Sequence, residues 1–260
     1  LTSIGIFGDS FTANPHSEYN VTTEGFIKEI YKVCRRKYSD EEAELVRAKW
    51  GEKYIGWHRH LDACTYGQSG SDLYYSYNQF VKHHKKYKTC IFVVTSAFRY
   101  STNSKGWIHS ASYEDAIEKI NFTTDYSTKL YFKSLANFFK NIYYNDTERV
   151  EFINQAMLDS IKLLRPDTIF INAYPDLKQA YDLELASWNT THEESQDYTK
   201  YFDLRHCHMT NENNKILADF VKNNINKSGY LNLSKVEWNK GTEKSNYLVQ
   251  TKNVIDWLLS

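Results

Sequence analysis

Acyl transfer by a serine needs a nucleophile, a histidine to take its proton, a carboxylate to orient that histidine, and donors facing the oxyanion. Ser10 is a candidate nucleophile, because it follows a short apolar run, Ile4-Gly5-Ile6-Phe7, and then Gly8-Asp9. A serine in such a loop can equally cap a helix, and Gly-Asp-Ser alone does not separate the two roles. Other polar segments carry reactive or donor side chains: Gly67-Gln68-Ser69-Gly70, Thr95-Ser96-Ala97-Phe98-Arg99, and residues 203–208 with Asp203, Arg205, His206 and His208.

The elements around these segments follow from hydrophobic periodicity. Ile4, Ile6 and Phe7 predict a buried strand, as do Cys90-Ile91-Phe92-Val93-Val94 and Thr168-Ile169-Phe170-Ile171, which are β-branched, apolar and uncharged. Leu61-Asp62-Ala63-Cys64 reads as a shorter strand. Helical spacing marks Phe26 to Arg36, a start at Asp40-Glu41-Glu42, and a helix with Leu73, Tyr77, Phe80 and Val81 inward. Two more carry Leu130, Leu135, Phe138, Phe139 and Ile142, then Val150, Ile153, Met157, Ile161 and Leu164, the second stopped by Pro166. A last one holds Ile216, Leu217, Phe220 and Val221, begins near Asn211 after a Thr210 cap, and ends before Gly229. Residues 100–128 read as irregular. Alternating strands and helices predict an α/β fold with a parallel sheet covered on both faces. Ligands in such sheets bind at the carboxyl ends of the strands, where the polar segments gather. One domain is expected over residues 1–229, with 230–260 as a C-terminal extension packed on it.

Gly8-Asp9-Ser10-Phe11, then Gly67-Gln68-Ser69-Gly70, then Asp203 with His208-Met209-Thr210 stand in one order along the chain. This pattern resembles the SGNH, or GDSL, hydrolase family over roughly residues 1–225, and its Asp-x-Arg-x-x-His-Met-Thr form is similar to phage-like members. The resemblance implies a three-layer α/β/α sandwich of flavodoxin-like type. It also implies ester hydrolysis without a cofactor, often of acetyl groups on sugars or acyl groups on lipids. Ser10 then matches the nucleophile. Gly70 matches the glycine whose N–H faces the oxyanion together with that of Ser10; lacking a side chain, it lets the backbone come close. Asp203 would orient the base. His208 is favoured as that base, whereas the family's literal Asp-x-x-His spacing fits His206. The chain departs from the family where a Gly-x-Asn-Asp is expected, because Phe98 stands where the oxyanion-binding Asn would fall. Losing one such donor costs about 10²–10³ in turnover. Arg99, Ser96 or Asn103 could replace it, Arg99 with several fixed donors being preferred; its plainer alternative is a surface ion pair. An O-acyltransferase with the same triad and an inactive carbohydrate-binding version of the fold are the competing readings.

The 260 residues hold 32 Lys plus Arg and 32 Asp plus Glu, so no global field favours nucleic acid or anionic lipid. No apolar stretch approaches the roughly 20 residues of a membrane helix. The sequence opens Leu1-Thr2-Ser3 and runs into a strand pattern, with no signal peptide visible. Cys34, Cys64, Cys90 and Cys207 form no CxxC pair and read as reduced thiols. His58-Arg59-His60 and His206-Cys207-His208 would each present two histidines on one face if extended, but no further ligands complete a zinc set, so no metal is expected. The run from Tyr74 to Lys86 interleaves tyrosines with Lys82, His83, His84 and Lys85, and is read as a helix with aromatics inward and a solvated basic end. Trp57, Trp107 and Trp188 in polar segments hint weakly at stacking on sugar. The expected partner is a small-molecule or carbohydrate ester.

Overall fold

The computed structural model of the protein describes residues 4–9, 12, 39, 41–42, 45, 56–68, 71–95, 97, 99–104, 107–111, 117, 120–121, 124–143, 145–172, 211–233 and 236–238. In chain order the elements are β1 (Ile4–Phe7), α1 (Trp57–His60), β2 (Cys64–Thr65), α2 (Leu73–His83), β3 (Thr89–Val94), β4 (Tyr100–Ser104), β5 (Trp107–Ala111), α3 (Tyr126–Phe138), α4 (Thr147–Leu164), β6 (Ile169–Asn172), α5 (Asn211–Asn223) and β7 (Gly229–Tyr230). Five strands form one sheet in the order β2-β1-β3-β6-β7, and β4 and β5 form a separate ribbon. Every pairing in the larger sheet is parallel.

The central strands β1, β3 and β6 are buried on both faces, which explains why they lack polar alternation. Ile4, Ile6, Ile91, Val93, Ile169 and Ile171 pack on one side with Trp57 and Leu61 of α1 and Leu217, Ala218 and Val221 of α5. Phe7, Cys90, Phe92, Val94 and Phe170 pack on the other with Leu73 and Phe80 of α2 and Val150, Leu158 and Ile161 of α4. The chain is therefore an α/β protein with helices on both sides of a parallel sheet. Gly5 sits in this alternation where a Cβ would run into the Tyr87 ring, so β1 is smooth there to admit the aromatic. Beyond the last helix, Leu231 and Leu233 are buried in the same core, which joins the start of residues 230–260 to the sheet.

Aspartates start three of the helices. Asp72, Asp125 and Asp146 accept from the backbone N–H of Tyr75, Thr128 and Arg149 at 2.8, 2.7 and 3.3 Å, each satisfying a donor that the first turn would otherwise leave open. Ser39 and Glu42 form a reciprocal capping box, with Glu42 N–H donating to Ser39 Oγ and Ser39 N–H donating to Glu42 Oε2. Glu41 and Glu42 are helical, as the acidic run predicts.

Several expectations are corrected. Leu61 caps α1 and Asp62 takes φ +51°, so the expected strand from Leu61 shrinks to Cys64–Thr65. Val81 is exposed and Ser76 takes the inward position on α2. Leu130 is exposed on α3, and Ile142 falls in a π turn, Phe139–Tyr143. On α4, Ile153 and Leu164 are exposed while Asn154 and Leu158 turn inward. The cause is chemical: Asn154 Nδ2 donates to Val150 O at 2.8 Å and Ala97 O at 3.4 Å, so a polar residue stands where periodicity favoured Ile153. Residues 100–128 are not irregular throughout. They contain the antiparallel β4–β5 ribbon, whose register pairs Ser104 with Trp107, and the start of α3. The helix expected over Phe26 to Arg36 lies outside the described residues.

Candidate functional site

The sheet order reverses between β1 and β3, with β2 on one side and β6 and β7 on the other. This is the switch point at which doubly wound sheets open a crevice beyond the carboxyl ends of their strands. Phe7 pairs with Phe92 in parallel register, so the segments after β1 and β3 leave the sheet side by side.

A polar cluster holds those segments together. Asp9, two residues past β1, is fully buried. Its Oδ2 accepts from Arg99 Nη1 at 2.8 Å and from Thr95 Oγ1 at 3.0 Å, and Arg99 Nη1 also lies 3.3 Å from Thr95 Oγ1. The same aspartate uses its backbone carbonyl to receive both the N–H of Thr12 at 3.0 Å and its hydroxyl at 2.9 Å. Asp9 thus holds Thr12 with its backbone carbonyl and the segment after β3 with its carboxylate. Burying a carboxylate is tolerated only when charge and hydrogen bonds compensate it, as they do here. Gly8 makes the approach feasible, since a Cβ there would lie 2.8 Å from both Thr12 Cγ2 and Val93 Cβ.

From the other side, the segment after β3 is tied to the helical layer. Ala97 O accepts from Tyr143 Oη at 2.9 Å and from Asn154 Nδ2 at 3.4 Å, and Arg99 O lies 3.5 Å from Tyr143 Oη. Tyr143 ends the π turn between α3 and α4, a device that lets one helical path re-aim a side chain. Asn172, buried at the end of β6 and paired in register with Val94, adds a further polar side chain to this edge.

Among the sequence-derived site residues, Arg99 is placed by the structure: its Nη1 faces Asp9, and the pair is partly buried. Asn103 lies in β4, paired with Ile108 in the ribbon. Ser10, Gly70, Ser96, Phe98, Asp203, His206 and His208 lie outside the described residues, as do Cys207 and Trp188. Asn211 opens α5, the start expected after Thr210. The residues that sequence reasoning passed over are Asp9, Thr12, Thr95, Tyr143 and Asn154. Asp9 was visible as the chain neighbour of a candidate serine in Gly8-Asp9-Ser10, but nothing in the sequence joined it to a partner 90 positions away.

Other candidate features resolve into structure. Residues 57–60 are helical, so His58 and His60 point to well-separated directions and do not form the extended His-x-His face. Among the described residues no group of three or more His, Cys, Asp or Glu side chains could hold a metal ion. Trp57 is fully buried in the core instead of standing free for a sugar ring. Tyr74 is 61% exposed, against the expectation that the tyrosines of this helix turn inward, while Tyr77 is half-buried with its hydroxyl 3.0 Å from Ser160 Oγ. Cys64 and Cys90 are free thiols. No described helix is long and apolar enough to cross a membrane.

No protein-family model matches this chain, and neither a curated protein nor a solved structure matches it.

Proposed function

We propose that the chain is a serine hydrolase that cleaves carboxylic esters of small acyl groups, including esters on carbohydrate, in the manner of the SGNH hydrolases. The observation that carries this reading is the anchoring of Asp9, whose chain neighbour is Ser10, at the switch point of a parallel sheet. A nucleophile gains most when its loop is held rigidly at the one edge where the fold opens to ligands. The sheet order is 2-1-3-4-5 when its five strands are counted alone, which supports the three-layer α/β/α sandwich of that family as the finer fold reading.

In this reaction Ser10 attacks the ester carbonyl while His208 takes the hydroxyl proton, with His206 as the alternative base. Asp203 holds the imidazole in the tautomer that can accept it. The N–H groups of Ser10 and Gly70 stabilise the tetrahedral oxyanion, with Ser96 as a further donor. His208 then protonates the departing alcohol, and water repeats the sequence on the acyl-enzyme. No cofactor enters the scheme. Phe98, standing where the family carries a donor, favours a carbohydrate-binding protein without turnover as the second reading.

Labelling with a fluorophosphonate separates the two. The expected result is one adduct on the folded wild type at Ser10, lost in Ser10→Ala and His208→Ala, with p-nitrophenyl acetate hydrolysis lost in parallel. A folded wild type that takes no label sinks the hydrolase. Partition of the acyl group between water and an added sugar acceptor distinguishes a transferase.

A further inference from the structure

We propose that Arg99 is a positioning residue of this site, acting through the buried carboxylate of Asp9 instead of donating to the oxyanion. The proposal rests on the hydrolase reading and adds to it the means by which the nucleophile's turn is held. Arg99 Nη1 is committed to Asp9 Oδ2 at 2.8 Å and lies 3.3 Å from Thr95 Oγ1. Asp9 is fully buried, whereas the Arg99 side chain keeps 24% of its surface exposed. The buried partner is therefore the one whose charge must be answered, and Arg99 answers it from the rim. Asp9 passes that restraint on, because its carbonyl holds Thr12 by two hydrogen bonds and so ties together the residues that flank positions 10 and 11 in the sequence. Tyr143 and Asn154 brace the segment between Thr95 and Arg99 from behind through Ala97 O. The guanidinium is thus the link between the turn after β1 and a segment held from the helical layer.

The two roles for Arg99 differ in how its loss combines with the loss of Asp9. If Arg99 acts through Asp9, removing either breaks one link, and removing both does little more. If Arg99 faces the oxyanion, the losses multiply.

The test uses the full chain and measures fluorophosphonate labelling rates and kcat and KM for p-nitrophenyl acetate, normalised to folded protein. Variants are Arg99→Met, Asp9→Asn, the double variant, and Arg99→Lys. The expected result is a fall of about tenfold or more in kcat and labelling rate for each single variant. KM should stay within about twofold, the double variant should be no slower than the slower single one, and Arg99→Lys should recover most of the rate because it keeps a charge on Asp9. Should Arg99→Met not fold, Arg99→Gln runs the same cycle against Asp9→Asn. Multiplying losses, or an Arg99→Met that labels at the wild-type rate, overturn the positioning role while leaving the hydrolase intact. A wild type without Ser10-dependent labelling overturns both.

Discussion

The side-chain oxygen of Asn214 accepts the backbone N–H of Trp57 at 3.0 Å, across 157 positions of sequence. The bond joins the first turn of α5 to the first residue of α1, both on the same face of the sheet. α5 connects the end of β6 to the start of the parallel β7, so its first turn belongs to the carboxyl side of the sheet. In the sequence, Asp203 and His208 precede Asn211, the first residue of α5.

Removing this acceptor is therefore expected to be costly. Asn214 is almost fully buried, so Asn214→Leu keeps the volume while leaving the Trp57 N–H without its partner. An unsatisfied buried donor costs about 1–3 kcal/mol. Urea unfolding should show that loss as a lower midpoint at unchanged slope, and a midpoint equal to wild type would show that the bond contributes nothing.

Gly8 offers a test of how tightly the turn after β1 is packed. An added Cβ would meet Thr12 Cγ2 and Val93 Cβ at 2.8 Å each, and neither belongs to a long flexible side chain that could swing away. Over-packing of this kind costs about 1–3 kcal/mol. Gly8→Ala should lower stability by that amount and lower esterase turnover further, since the displaced atoms include the turn held by Asp9. Undiminished turnover per folded molecule would separate the turn from the chemistry.

The sequence pattern disclosed the parallel sheet because β1, β3 and β6 are short runs that are apolar on both faces. It misplaced the inward face of α4 because hydropathy counts Ile153 as inside and Asn154 as outside. The amide of Asn154 reverses that by finding two carbonyls. The β4–β5 ribbon was hidden for a different reason. Its strands use Ser, Thr and Asn freely, so no apolar alternation marks them in the sequence, while the structure pairs them antiparallel from Tyr100 with Ala111 to Ser104 with Trp107. At the site, the places of Asp9 after β1 and Arg99 after β3 follow from the strand pattern, while the link between them does not, since an ion pair is a property of two distant segments and leaves no local signature.

Histidine burial sets a pH dependence whose sign can be worked out. His84 is buried and stacked on Phe80, with ring centroids 4.9 Å apart, and burial followed by the nearby Arg165 and Lys85 charges holds its pKa below the ordinary 6.5, against a smaller upward pull from Asp167. Burial also lowers His60 and His83; Asp219 opposes the shift at His60, and neighbouring lysines reinforce it at both. A folded state with depressed histidine pKa values binds fewer protons than the unfolded chain, so stability is fully present above about pH 6.5 and declines as pH falls below it. The urea midpoint should drop between pH 7.5 and 5.5, a window above most carboxylate titration, and His84→Gln should flatten that slope. A midpoint that rises on acidification would contradict the assignment.

Cys90 is expected to be inert. It is fully buried in β3, its Sγ donates to His84 O at 3.5 Å, and burial pushes its thiol up to about 11. At pH 8 only about one molecule in a thousand would carry the reactive thiolate, even before access is considered. Iodoacetamide at that pH, followed by peptide mass spectrometry, should leave Cys90 unmodified in the folded protein and modify it fully in urea. Rapid alkylation under native conditions would mean that β3 opens locally.

Ala97 O supplies the sharpest probe of the segment after β3, because two donors share one acceptor. Tyr143 Oη and Asn154 Nδ2 reach it at 2.9 and 3.4 Å, and Ala97 itself is almost fully buried. With either donor removed the carbonyl keeps the other, so Tyr143→Phe and Asn154→Leu should each cost about 0.5–1.5 kcal/mol. With both removed it loses both of these partners, and the double variant should cost more than the sum, with a coupling of about 1 kcal/mol or more. Strictly additive losses in a urea double-mutant cycle would mean that water or another group replaces the donors. In that case the brace behind the segment carrying Arg99 is looser than its two hydrogen bonds imply, and Arg99 would have to be held in place by Asp9 and Thr95.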